Sequence, residues 1–222
     1  VDEIESRYRF PDSMAPQAGD SVHFFNGSSA RWRAVSADSN GWFSGKEIRN
    51  GYLLLTVNSR KEKTVIIRPM GCVRLFVNGV PRVGSKYGTR DDYEDWQPRF
   101  DFVELPVELK PGENRFLLRC ARGRAKLSLF TPPEPVYFNL KDATLPDIVR
   151  NMPGKLHAAA VVVNTTEKLV RGGVITASGK GLKTVTAPAG IIQPRSARKV
   201  GFLLEPEDSL PRQDALAVQL TF

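Results

Sequence analysis

Along the chain, apolar residues come in runs of about four to eight, broken by Gly, Pro, Asn and Asp. That is the punctuation of strands joined by tight turns, not the three-to-four spacing of an amphipathic helix. The pattern predicts strands at Ser21–Phe25, Arg31–Ser36, Tyr52–Asn58, Lys63–Pro69, Val73–Asn78, Phe100–Pro106, Asn114–Cys120 and Ala125–Phe130. Asn78-Gly79 and the stretch from Lys110 to Asn114 have the chemistry of chain reversals, Pro setting a negative φ and Gly tolerating a positive one. Thr131-Pro132-Pro133-Glu134-Pro135 then places three prolines in five residues, which no central strand accepts and which stiffens the chain. A boundary is expected there, giving domains 1–133 and 134–222. Thr144–Arg150 reads as one short helical turn capped by Thr144, with Pro146 and Asp147 tolerated at its start. The strand pattern resumes at Ala158–Asn164, Val170–Ser178, Leu182–Ala187, Lys199–Glu205 and Leu216–Phe222. The fold class is all-β, two β-sandwich domains in tandem.

Length agrees, because 222 residues are long for one sandwich and comfortable for two domains of about 100–150. The hydrophobic share of 41% and charged share of 25% describe an ordinary globular protein and remove disordered and fibrous classes. The net charge of +8 is spread: Lys and Arg minus Asp and Glu gives 21 − 16 = +5 for residues 1–133 and 11 − 8 = +3 for residues 134–222. A nucleic-acid binder gathers its cations on one element, and no such motif is present, so nucleic acid is not the expected partner. No apolar run reaches the roughly 18 residues of a membrane span. The chain starts at Val1, which fits a mature product after leader removal, a piece of a longer protein or an expression remnant. The last strand running to Phe222 suggests truncation before another domain.

Two cysteines are too few for a disulfide scaffold. Strand phase makes Val73, Leu75 and Val77 the inward set and turns Cys72 outward, while Cys120 shares a face with Phe116 and Leu118. Free thiols are expected, although a bulge at Gly71 would reverse the phase.

Candidate chemistry is sparse. His23 and His157 sit in separate domains and read as structural, there is no Gly-x-Ser-x-Gly elbow, and Gly179-Lys180-Gly181 reads as a hairpin turn rather than a phosphate loop. Trp32 alternates with Arg31 and Arg33 and is assigned to the core; Trp42, after Asn40-Gly41, is placed at a turn. Asn26-Gly27-Ser28 and Asn164-Thr165-Thr166 match the glycosylation pattern. The segment most suggestive of a site is the polar insertion Gly84–Trp96. Tyr87, Arg90, Asp92, Tyr93, Asp95 and Trp96 offer the aromatic faces and polar contacts that hold a sugar. Asp91, Asp92, Glu94 and Asp95 are a weaker candidate for calcium through oxygen ligands, the one cofactor considered. The alternative is a solvated loop whose aromatics fold back on the sandwich or dock against a neighbour. Consecutive carboxylates in such a loop do not make a glycosidase pair.

Cys72-Val73-Arg74-Leu75-Phe76-Val77-Asn78-Gly79, followed by Leu109-Lys110-Pro111-Gly112-Glu113-Asn114-Arg115-Phe116-Leu117-Leu118-Arg119, resembles the galactose-binding-like jelly roll, in particular the amino-terminal sandwich of glycoside hydrolase family 2. The resemblance is clear over Gly71–Leu129 and extends to roughly residues 20–133. The second domain is similar in outline to immunoglobulin-like or fibronectin-like modules, through Val161–Thr166 and Pro194–Phe202. The resemblance implies a non-catalytic accessory, carbohydrate-binding or scaffolding portion of a larger exported hydrolase-type protein, secreted, periplasmic or at the cell surface, with a neighbouring catalytic domain as partner. A structural protein-interaction module with no small ligand is the alternative.

Overall fold

Runs of alternating apolar residues between turn formers become strands almost throughout. The computed structural model describes residues 3–83, 102–148, 154–207 and 216–222. After a helix α1 (Glu3–Tyr8) come β1 (Ser21–His23), β2 (Ser29–Arg31), β3 (Phe43–Ser44), β4 (Tyr52–Ser59), β5 (Lys63–Met70), β6 (Cys72–Val77), β7 (Val80–Val83), β8 (Leu105–Leu109), β9 (Gly112–Cys120) and β10 (Arg124–Phe130). Then follow β11 (Val136–Thr144), β12 (Leu156–Asn164), β13 (Val170–Gly179), β14 (Leu182–Ile192), β15 (Ser196–Pro206) and β16 (Gln219–Thr221). The chain is all-β in class. It divides into two units, Val1–Val103 with Val107–Phe130 and Glu104–Pro106 with Thr131–Phe222.

The first unit is built on two four-stranded sheets, β4-β9-β6-β7 and β3-β10-β5-β8, with β1 and β2 forming a separate hairpin. Leu75, Phe116 and Leu118 from one sheet and Ile66, Ile67 and Ala125 from the other are fully buried. Each large side chain so buried contributes roughly 1.5–3 kcal/mol. In the second unit the order is β11-β12-β15-β14-β13-β16. β14 and β15 pair over Leu182↔Pro206 and Lys183↔Glu205, at one end of two long strands. The halves on either side of that junction share one core, with Ala160, Val162, Ile175, Ile192, Phe202 and Leu204 at its centre.

Two asparagines define the turns of the first unit. Asn78 and Gly79 both have positive φ, +50° and +82°, as the two-residue turn between β6 and β7 requires. Asn114 is 0% exposed. Its Oδ1 accepts from the Lys110 backbone N–H and from Asn78 Nδ2, both at 2.8 Å, and its Nδ2 donates to the carbonyls of Lys110 (2.8 Å) and Gly112 (3.1 Å). Asn78 Oδ1 in turn accepts from the Arg115 N–H at 2.8 Å. The Val-Asn-Gly and Lys-Pro-Gly-Glu-Asn segments are therefore one hydrogen-bonded unit, closing two neighbouring turns together. In the second unit Asn164, also buried, donates to the carbonyls of Lys168 and Gln193 and accepts from the Thr166 N–H and hydroxyl.

Several expectations are corrected. The strand placed at Arg31–Ser36 ends at Arg31, because Trp32 turns its backbone to Gly19 and Asp20, bonding to both at 2.9 Å. The strand placed at Phe100–Pro106 runs instead over Leu105–Leu109. Thr144 closes β11 rather than capping a helix, and Leu145–Ile148 carry no helix. A β-bulge between Cys72 and Arg74 inserts Val73 as an extra residue, which flips the phase. Val73 is thereby 42% exposed and Cys72 is wholly buried.

Replacing Asn114 with Ala leaves the Lys110 N–H and two carbonyls without partners in a closed turn. The variant is expected to lose about 2–4 kcal/mol of unfolding free energy, read as a lowered denaturant midpoint with unchanged slope.

Candidate functional site

The outer face of the β4-β9-β6 sheet carries an apolar band bounded by arginines. Register places Leu54 beside Leu117 and Leu117 beside Phe76, with Tyr52 opposite Arg119, Arg119 opposite Arg74, and Thr56 opposite Arg115. The band is covered by Ile4 and Tyr8 of α1 and Val22 of β1, with Phe24 and Trp32 packed at its margin. Burying this cover forces the nearby charges to find partners. Arg115, 2% exposed, donates to the carbonyls of Phe10 and Ser13 and to Ser13 Oγ (2.8 Å), and pairs with Glu113 at 3.3 Å. Glu5, buried on the inner side of α1, accepts from Arg74 at 3.0 Å and from the Tyr52 hydroxyl at 3.0 Å. Arg9 lies over the Phe10 and Phe76 rings, at 4.6 and 5.8 Å from their centroids. A Cβ at Gly79 would collide with the Phe10 ring, so the glycine is needed for this docking as well as for its turn.

The docked segment fixes Trp32. Tyr8 meets the indole edge-on, ring centroids 5.3 Å apart, and the loop bonds from Gly19 and Asp20 hold its backbone. Two clefts, of about 420 and 590 Å³, open beside Trp32 and share Arg31, Trp32, Glu47 and Tyr52 as lining. The smaller adds Phe24 and Arg119. The Trp32 indole N–H is buried and has no hydrogen-bond partner among the described residues, an orphan donor of the kind satisfied by water or by a ligand oxygen. Arg31 and Arg119 form no ion pair with another described residue. One indole face, two unpaired guanidinium groups, a carboxylate and a phenol around cavities of this size are the make-up of a polar-ligand pocket.

The residues expected to bind sugar, Tyr87, Arg90, Asp92, Tyr93, Asp95 and Trp96, and the calcium candidates Asp91 and Glu94 with them, lie outside the described residues. Trp32, assigned to the core, packs against the Ile4, Tyr8, Val22, Phe76 and Leu117 cluster and is half-buried, with part of it lining the clefts. Arg31, Tyr52 and Arg119 escaped notice, since an arginine in a strand pattern reads as solvent-facing; the flanking of Trp32 by Arg31 and Arg33 was the available signal. Trp42 is half-buried under the Arg124 guanidinium, 4.8 Å from the ring centroid. His23 and His157 are exposed and belong to different units, and Gly179–Gly181 joins β13 to β14 as a hairpin.

No protein-family model and no curated protein matches the chain. Among solved structures, the GH2 β-galacturonidase from Eisenbergiella tayi bound to galacturonate is similar over 95% of this chain and 42% of that one, at 11% identity and TM-score 0.40. The exo-chitosanase CsxA from Amycolatopsis orientalis is similar over 70% and 21%, at 10% identity and TM-score 0.30. Red sea bream transglutaminase is similar over 70% and 24%, at 13% identity and TM-score 0.27. The chain spans less than half the length of each of these proteins, and likeness at this level assigns neither site nor activity.

Arg115→Met keeps the aliphatic stem and removes the donors that hold Phe10 and Ser13. The variant is expected to lose roughly 2–3 kcal/mol of stability and to expose the bonds after Arg7 and Arg9 to trypsin. The same bonds in native wild-type protein are expected to resist digestion under identical conditions.

Proposed function

We propose that the chain is a non-catalytic accessory unit of a larger exported, hydrolase-type protein, and that it contacts carbohydrate through the cleft beside Trp32. The observation that carries this reading is the indole itself, held edge-on by Tyr8, with its N–H buried and without a partner among the described residues, beside Arg31, Arg119 and Tyr52. A pyranose presents an apolar face that suits an aromatic ring and a rim of hydroxyls that suits guanidinium and carboxylate groups, so this lining fits a sugar better than a purely apolar ligand. The two turns locked by Asn78 and Asn114, which resemble those of family 2 glycoside hydrolase sandwiches, support placing the unit beside a catalytic domain.

A second reading, a protein-interaction module with no small ligand, is favoured by one observation. Phe25, at the tip of the β1–β2 hairpin, is 97% exposed, a large apolar group presented to a partner rather than to the core.

A glycan array followed by calorimetric titration separates the two. Under the carbohydrate reading, Trp32→Ala and, independently, Arg119→Ala weaken binding of the best oligosaccharide by about tenfold or more, where tenfold is about 1.4 kcal/mol, with wild-type circular dichroism retained. No binding to any glycan, with a partner captured only while Phe25 is intact, would move the assignment to the interaction module. The isolated chain is expected to show no turnover of aryl glycosides or esters.

A further inference from the structure

The bulge at Val73 makes Cys72 and Cys120 direct cross-strand partners on β6 and β9. Neither sulfur is in a disulfide, the two residues are 0% and 1% exposed, and both lie on the face of Phe116 and Leu118. The Ala121 N–H donates to the Gly71 carbonyl at 3.0 Å. That bond lies one residue beyond the pair on each strand, which marks the cysteines as a non-hydrogen-bonded pair. Such pairs have Cα atoms about 4.5 Å apart with side chains drawn together, inside the range of about 4.4–6.8 Å that a disulfide spans. Gly71 fixes the approach, since its φ is +76° and a Cβ there would strike the Arg124 carbonyl.

We propose that Cys72 and Cys120 become a cross-strand disulfide when the chain folds in the presence of a small-molecule disulfide. One thiolate attacks the oxidant, releasing a thiol and leaving a mixed disulfide on the protein. The second thiolate then displaces the remaining thiol, so the protein loses two electrons and two protons and the oxidant becomes two thiols. The bond forms during folding rather than afterwards, because burial and the neighbouring Cys72 push the Cys120 thiol up to about 12, leaving almost no thiolate once the sheet has closed. The link joins positions 120 − 72 = 48 residues apart and encloses the polar insertion Gly84–Trp96 in a covalent loop. It rests on register alone and is independent of any ligand.

Unfolded, reduced protein is refolded with a mixture of reduced and oxidised glutathione and then alkylated in denaturant. The expected product is about 2 Da lighter than reduced protein and unalkylated, gives a single cross-linked peptide pair, and melts roughly 5–15 °C above the reduced form. Cys72→Ala with Cys120→Ala should melt at one temperature whatever the redox buffer. Two alkylated thiols after refolding, a glutathione on each cysteine, or a redox-dependent melting temperature in the double variant would overturn the proposal. The mass of the wild-type product decides the matter even if the double variant does not fold.

Discussion

A guanidinium group on the outside of a sheet must stay in water or be given oxygen atoms, and Arg115 is given them. Its donors take up the Phe10 and Ser13 carbonyls and the Ser13 hydroxyl, and the N-terminal segment is thereby laid across the sheet. Glu5 does the reciprocal work one turn away, bringing a carboxylate to Arg74 and Tyr52. Breaking a buried charge pair is far more costly than forming it is favourable, so these contacts act as a positional constraint more than as a source of stability. Ile4 and Tyr8 then land on Leu54, Leu117 and Phe76. Tyr8 in its turn braces Trp32, and the clefts exist because Trp32 stands where it does.

The two asparagine-closed turns set the frame on which that constraint operates. Asn78 reaches from the β6–β7 turn to the Arg115 N–H, so the residue that captures the N-terminal segment is itself placed by a turn in a neighbouring hairpin. Gly79 serves both layers, providing the positive φ of its turn and the space into which Phe10 settles. A run of eight residues ending in Val-Asn-Gly thus encodes strand, turn and docking surface at once, which is local and global preference agreeing.

Strands such as Tyr52–Ser59 and Gly112–Cys120 were legible because alternating apolar residues between turn formers have few other uses. The helix Glu3–Tyr8 was not: six residues are too few for a periodic signal, and an isolated helix that short has no stability of its own. It is a helix because its apolar side meets an apolar band made by strands far along the chain. The cleft beside Trp32 was illegible for a related reason. The alternation of Trp32 with Arg31 and Arg33 imitates a strand, while the deciding bonds come from Gly19 and Asp20. Cys72 shows the sharpest limit, since one inserted residue at Val73 exchanges the two faces of everything before it and leaves composition unchanged. The sugar and calcium candidates rest on residue type and on their place in a polar insertion between predicted strands, and they lie outside the described residues; the described cleft draws on Arg31, Trp32, Tyr52 and Arg119, which three separate segments bring together.

The carboxamide of Asn164 is fully engaged by Lys168, Gln193 and Thr166, so the Asn164-Thr165-Thr166 triplet is shut inside its own turn once the second unit has folded. Asn26-Gly27-Ser28, by contrast, sits open on the first hairpin. In a cell that attaches oligosaccharides to such triplets, the transferase would have to reach Asn164 while the polypeptide was still unfolded. The attached glycan would then exclude the turn that Asn164 closes, making modification of that triplet and native folding of the second unit competing fates.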